Sequence, residues 1–175
     1  MASVHGRFQP FHLDHLDYVL RGLNMADYLY IGITQIFNRS PESISGSGVH
    51  RAEPDSNPFT FYERAQMIRA ALAGEGIQES RYQIIPFPLE RPSELSCFLP
   101  LDIPILTTRV DAWNDRKNEM LRDLGFKVSI LVSREKASVR GSCIRSSMRD
   151  GNDQWTKMVP PTTVEFLRTL SARLR

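Results

Sequence analysis

The chain is poor in the features that mark secreted, membrane and nucleic-acid-binding proteins. Only two of its 175 residues are cysteine, Cys97 and Cys143. They lie far apart and show no metal-type spacing. A disulfide scaffold is thereby excluded, and free thiols in a reducing cytoplasm are expected. No apolar run approaches the roughly 20 residues that a bilayer-spanning helix needs. The N-terminus reaches a polar motif too early for a signal peptide. An excess of charge is also missing: 22 basic residues face 20 acidic ones, a formal net charge of +2. The basic residues are scattered rather than gathered in a block, which argues against a nucleic-acid or membrane partner. No internal repeat is visible. The length suits one domain with a full core.

What the chain does have is regular alternation. Strand-like runs occur at ASVHG, YLYIGI (28–33), YQIIPF (82–87), IPILTT (103–108) and KVSILV (127–132). Helix-like runs begin near His15, Thr60, Asp111, Ser142 and Pro161. Thr60 followed by Glu63 reads as a capping box, and Pro161 suits a first helical position. The pattern predicts an α/β fold with a mainly parallel sheet. Residues 38–56 break it, being rich in Ser, Gly and Pro and aperiodic. They predict a mobile loop, either a solvated insertion or a lid whose His50 and Arg51 reach phosphate.

The most informative stretch is GRFQPFHLDH, residues 6–15. His12 and His15 are three residues apart and share a helix face at its first turn. Unpaired backbone N–H groups and the helix dipole favour an anion there. Gly6 lets the backbone approach a ligand closely, and Arg7 can pair with phosphate through two parallel hydrogen bonds. Together these groups form a polyphosphate cradle.

This segment resembles the H-x-G-H signature of the nucleotidyltransferase superfamily. Its lead-in is most similar to the archaeal-type nicotinamide mononucleotide (NMN) adenylyltransferases. NPFTFYERAQMIRAAL (57–72), SRYQIIPFP (80–88) and RGSCIRSSMRDGNDQWTKMVPPTTVEFL (140–167) resemble further family segments in order and spacing. The last of these holds the second signature, S-x-T-x-[IV]-R. The resemblance implies a Rossmann-like, doubly wound sheet with C-terminal helices, and transfer of a nucleoside monophosphate to a small phosphorylated acceptor. It also implies a nucleotide site of Gly6, Arg7, Phe8, Gln9 and Asp14 in the first signature, with Asp111 and Asn114 after the fourth strand. Ser142, Ile144 and Arg145 of the second signature complete it, facing the β- and γ-phosphates. The acceptor would meet Phe11, Thr34, Arg64, Arg91, Ser93, Ser96 and Arg109. Relatives of this kind often form closed homo-oligomers, so self-association is an expectation.

The chemistry assigns roles. An acceptor oxygen is already anionic, so in-line attack on the α-phosphorus needs positioning and charge neutralisation rather than a general base. His12, His15 and Arg145 are the expected catalytic groups. Nearby phosphate would favour protonated histidines. Ser142 is expected as both N-cap and phosphate donor, with Arg145 on the same face. Arg140 stands where the second signature has its first Ser, as an extra phosphate ligand or a solvated cation. Arg64 is read as either a ligand contact or a structural ion pair with Glu63 or a carboxylate elsewhere, and Trp113 as core or base contact. No protein-held metal cage is evident, and magnesium is expected to arrive with the triphosphate.

Three departures from the family pattern bear on specificity. Asp14 replaces the signature glycine where the family packs its base. Ser93 and Ser96 occupy the places of an Asn and of the Trp that stacks on nicotinamide. Phe98 or a shift of register could restore the platform. Arg91 and Arg109 suit a small, highly charged acceptor. The resemblance favours an NMN adenylyltransferase-like activity; the alternative is a CTP-dependent enzyme acting on a small phosphate or phosphonate. A non-catalytic nucleotide sensor would not need His12, His15 and Arg145 together. A nucleic-acid module would show basic and aromatic residues interleaved, and this chain does not.

Overall fold

The computed structural model describes residues 1–36, 56–109, 112–133 and 138–171. Five parallel strands form one sheet: β1 (Ala2–Gly6), β2 (Leu29–Ile33), β3 (Tyr82–Pro86), β4 (Ile105–Arg109) and β5 (Val128–Ser133). Their spatial order is β3-β2-β1-β4-β5. The chain therefore winds outward from β1 in one direction and from β4 in the other. The crevice between the carboxyl ends of these two strands is the topological switch point, where open α/β sheets bind ligands. Each expected strand is present, as is each expected helix: α1 (Leu13–Met25), α2 (Phe61–Gly74), α3 (Ala112–Asp123), α4 (Gly141–Arg149) and α5 (Pro161–Ser171). The Thr60–Glu63 capping box is formed in both directions, and Pro161 opens α5.

Side chains alternate across the strands, and each face has its own core. Val4, Ile31 and Leu106 pack with Leu16, Val19, Met67, Ile68, Ile144 and Met148 of α1, α2 and α4. On the other face Ile85, Phe87 and Ile105 pack with Leu121 of α3 and Phe126. Full burial of each such side chain contributes about 1.5–3 kcal/mol. Two glycines set the close approaches: a Cβ on Gly22 would lie 3.0 Å from Val4, and one on Gly32 would lie 2.7 Å from Phe87.

Pairing is uneven along the sheet. β1 and β2 are in register over five residue pairs, Ala2 with Leu29 through Gly6 with Ile33. β1 meets β4 through Ser3 and Ile105. Farther along, the Tyr18 hydroxyl of α1 bridges these two strands, accepting from the His5 N–H and donating to the Leu106 carbonyl.

Candidate active site

The loop leaving β1 folds back on itself before α1 begins. Phe8 has a φ of 53° and a fully buried ring, set edge-on to His15 at 5.0 Å and tilted against Phe11 at 5.4 Å. A Cβ on Gly6 would come within 2.6 Å of the Phe8 ring. The missing side chain of Gly6 thus makes room for the Phe8 ring. Phe8 and Phe11 are core residues by their side chains. Gln9 is likewise committed. Its amide donates to the Phe59 carbonyl (2.8 Å) and accepts from the Phe59 N–H (3.0 Å).

The helix starts two residues earlier than expected, so His12 is its N-cap and His15 lies in its first turn. The two imidazoles stack, with ring centroids 3.5 Å apart and planes 22° from parallel. Nδ1 of each has no hydrogen-bond partner among the described residues. Burial pushes the His12 pKa down to about 4, against an opposing pull from Asp14. His15 is held well below the usual histidine value by burial first, then by His12 and Arg7; a hydrogen bond to the Pro10 backbone works the other way. The expectation of protonated histidines concerns the site with phosphate beside it, and these shifts describe the protein alone. It holds both rings neutral, and polyphosphate would have to supply the opposing charge.

The second signature begins α4, and here too the local reading shifts. Arg140, not Ser142, is the N-cap, in extended conformation and without a side-chain cap bond. Ser142 stands exposed in the first turn, where a hydroxyl can add to the backbone donors. Ile144 is core. Arg145 is mostly buried, and its Nη1 donates to the Gln9 carbonyl at 2.7 Å. A Cβ on Gly141 would lie 2.6 Å from that same carbonyl oxygen. The Asp14 carboxylate accepts from the Ser138 and Val139 N–H groups at 2.8 and 3.0 Å. Gly141, Arg145 and Asp14 thus fasten the two signatures together, with the amino ends of α1 and α4 side by side.

Toward β3 the expected acceptor residues divide. Arg64 is fully buried, and its guanidinium donates to the carbonyls of Thr60, Arg7, Thr34 and Gln35 at 2.6–3.2 Å. Burial lowers its pKa to about 10. The Glu90 and Glu63 carboxylates favour its charge against that burial, in keeping with the electrostatic reading, while the guanidinium's hydrogen bonds clamp the backbone beyond β1 and β2. Thr34 is buried, its N–H donating to Gly6 and its carbonyl accepting from Arg64. The Glu90 carboxylate secures the next turn through the N–H groups of Gln35 and Ile36. Ser93 and Ser96 lie exposed on a short 3-10 helix, Pro92–Cys97, with Phe98 at its end. Arg91 and Arg109 are exposed and pair with Glu94 (3.4 Å) and Asp115 (2.9 Å). Asn114 is buried and Trp113 half-buried on α3. Asp111, and His50 and Arg51 of the aperiodic loop, lie outside the described residues.

The comparison with known proteins agrees with this geometry. The cytidylyltransferase-like family model matches residues 4–147, from β1 through the second signature. The chain belongs to that family. It is a nucleotidyltransferase. A phosphonoformate cytidylyltransferase of Streptomyces viridochromogenes is 35% identical over 167 residues, covering 94% of this chain and 89% of that one. A nicotinamide-nucleotide adenylyltransferase of Saccharolobus solfataricus is 30% identical over 162 residues, covering 93% and 86%. Among solved structures, a bifunctional NMN adenylyltransferase/ADP ribose pyrophosphatase of Francisella tularensis superposes with a TM-score of 0.68 at 18% identity. That match covers 98% of this chain, which spans about half of the Francisella protein. A second structure of the same kind, with a TM-score of 0.64, holds AMP and a manganese ion.

As a nucleotidyltransferase site, the arrangement presents donors and cations rather than metal ligands. No group of three His, Cys, Asp or Glu side chains converges on a metal position among the described residues. His12 and His15 stand with Arg7 beside them, while the nearest carboxylate, Asp14, holds backbone. Such a donor set fits a metal that arrives with a triphosphate. Sequence reasoning missed Gly141 and Glu90, whose roles depend on distant backbone. It also missed a polar cluster on the opposite sheet face, where His5 interrupts an otherwise apolar strand; that interruption was the available signal.

Proposed function

We propose that this nucleotidyltransferase moves a cytidylyl group from magnesium-bound CTP to the phosphonate or phosphate of a small acceptor. The observation that carries this reading is on the acceptor side. Ser93 and Ser96 are exposed and small where the NMN enzymes of the resemblance carry an Asn and a stacking Trp. Loss of that platform removes about 0.5–1.5 kcal/mol of stacking beyond burial. The 35% identity to a phosphonoformate cytidylyltransferase supports it. A second reading, ATP with NMN, is supported by the GRFQPFH segment and the archaeal relatives.

In either case an acceptor oxygen attacks the α-phosphorus in line. The bond from that phosphorus to the bridging oxygen breaks, and pyrophosphate leaves with the electron pair. His12 and His15 donate to the α- and β-phosphate oxygens as charge accumulates there. Ser142 and the backbone N–H groups opening α4 receive the β- and γ-phosphates, and Arg145 holds the Gln9 turn against that helix. Magnesium supplies charge neutralisation on the phosphate tail when bound. The exposed free thiols of Cys97 and Cys143 are in keeping with a reducing cytoplasm.

Pyrophosphate release, measured with four triphosphates against NMN, phosphonoformate and methylphosphonate, tests the proposal. CTP with a phosphonate is expected to give the highest kcat/KM, and Ser96→Trp to improve turnover of NMN. Efficient wild-type turnover of ATP with NMN, and none with phosphonates, would restore the second reading.

A further inference from the structure

Two buried charged side chains meet at the carboxyl ends of β1 and β2, and the transfer as described uses neither. Arg64 comes from the first turn of α2 and Glu90 from the segment that follows β3. One guanidinium nitrogen, Nη1, donates to the Arg7 carbonyl at 2.8 Å and to the Thr34 carbonyl at 2.6 Å. Nη2 donates to the Gln35 carbonyl at 2.8 Å. The Glu90 carboxylate takes the other side of the same turn, accepting from the N–H groups of Gln35 (3.2 Å) and Ile36 (2.9 Å). The two strand ends are also joined directly, the Thr34 N–H donating to the Gly6 carbonyl at 3.0 Å. Burial works against the Arg64 cation, and Glu90 first, then Glu63, favours it.

These bonds fall on the two non-glycine residues with left-handed backbone among those described. Phe8, with φ 53°, directly follows Arg7, and Gln35 has φ 52°. A residue with a side chain keeps that conformation only where its surroundings over-determine it. Fold stability alone gives a poor account of the arrangement. Taking a guanidinium and a carboxylate out of water is expensive, and glycine at position 35 would need less holding. What the pair achieves is a fixed separation between strand ends. Arg7 opens the loop that leads to His12 and His15, so the β1 end carries the nucleotide side. Glu90 lies three residues before Ser93, on the acceptor side of the reading above. The turn after β2 is gripped from both. In-line transfer needs the reacting atoms about 3–3.5 Å apart, and a misplacement of about 1 Å lowers the rate by roughly a hundredfold.

We propose that Arg64 and Glu90 are positioning residues for the transfer. Through the turn at the end of β2 they set the separation between the nucleotide loop after β1 and the acceptor segment after β3. Neither touches substrate. This role rests on the acceptor lying on the β3 side, as proposed above, and is independent of whether CTP or ATP is the donor.

The test separates binding from transfer in the full chain. Arg64→Lys keeps the charge but loses the planar fork that bridges carbonyls. Glu90→Gln keeps the size but sets an amide donor against a backbone N–H. For each variant, calorimetry gives the affinity for a non-hydrolysable triphosphate analogue, and then for the acceptor in its presence. The single-turnover rate is measured with both substrates saturating. CTP and phosphonoformate are used, or ATP and NMN if the wild-type protein turns over that pair instead. In that second case the cytidylyl reading has failed, and the positioning role is tested all the same. Arg64→Lys is expected to slow the single turnover roughly tenfold or more while each affinity stays within about threefold of wild type. Glu90→Gln should show the same split to a smaller extent, and it decides alone if Arg64→Lys does not fold. An unchanged rate in a folded but less stable variant would overturn the proposal and leave the pair purely structural. So would a matching loss of affinity: for one substrate it would mark a ligand contact, and for both a general defect.

Discussion

At the scale of single residues, the proposed transfer rests on the histidine pair. Stacked imidazoles at 3.5 Å cannot both be protonated cheaply, so the pair is poised to accept charge only when polyphosphate compensates. His15→Ala is expected to lower kcat by roughly a hundredfold or more, by analogy with removal of one oxyanion donor. His12→Ala should behave similarly and weaken triphosphate binding more. Steady-state kinetics alongside circular dichroism check this; near-normal turnover of the double variant would remove the mechanism. At this scale the sequence was a sound guide to which residues stand near one another and a poorer one to what they touch. Arg64 illustrates the gap. Its place near the site was legible from the FTFYER segment, but four carbonyl partners from three separate stretches of chain leave no local trace.

Among elements, the site depends on how the amino ends of α1 and α4 meet. A methyl group on Gly141 would press on the Gln9 carbonyl, which belongs to backbone and yields little. Gly141→Ala is expected to cost about 1–3 kcal/mol of stability and to raise the KM for the triphosphate. Denaturant unfolding and initial-rate kinetics would show both. Asp14→Asn should keep the bulk but weaken the hold on Ser138 and Val139, with a charge-assisted bond worth about 1.5–3 kcal/mol at stake. This places Asp14 in a different light from its reading as a base-selecting residue, because its carboxylate faces the chain. The elements themselves were readable, since alternation, the capping box and Pro161 are local signals. The N-cap of α4 was not, because Ser142 is the better capping residue by type and tertiary contact places Arg140 there instead.

For the molecule as a whole, three histidines held neutral by burial make acid the expected weakness. Their folded pKa values lie below the ordinary 6.5, so the unfolded chain binds more protons as pH falls. Stability is retained above about pH 6.5 and declines between that value and about 4, the folded value of His12. Thermal melts across this range should show the decline, and saturating triphosphate should reduce it by favouring protonated His12 and His15. A flat profile would mean that the rings are more exposed in solution than their burial implies. Fold class was legible at this scale from periodicity alone. The polar cluster on the face away from the histidine pair was not, because it depends on His5 and Thr107 being neighbours in space while about 100 residues apart in sequence.

The shared carbonyl of Gln9 also limits how this protein can be recombined with its relatives. Residues 6–15 and residues 138–149 are separate cassettes in the sequence, yet their fit is made across one peptide group and one carboxylate. A graft that imports either cassette alone would pair a turn from one protein with a helix shaped for another. Exchanging nucleotide preference between family members therefore calls for transplanting both segments as a unit, with the strand they hang from left in place.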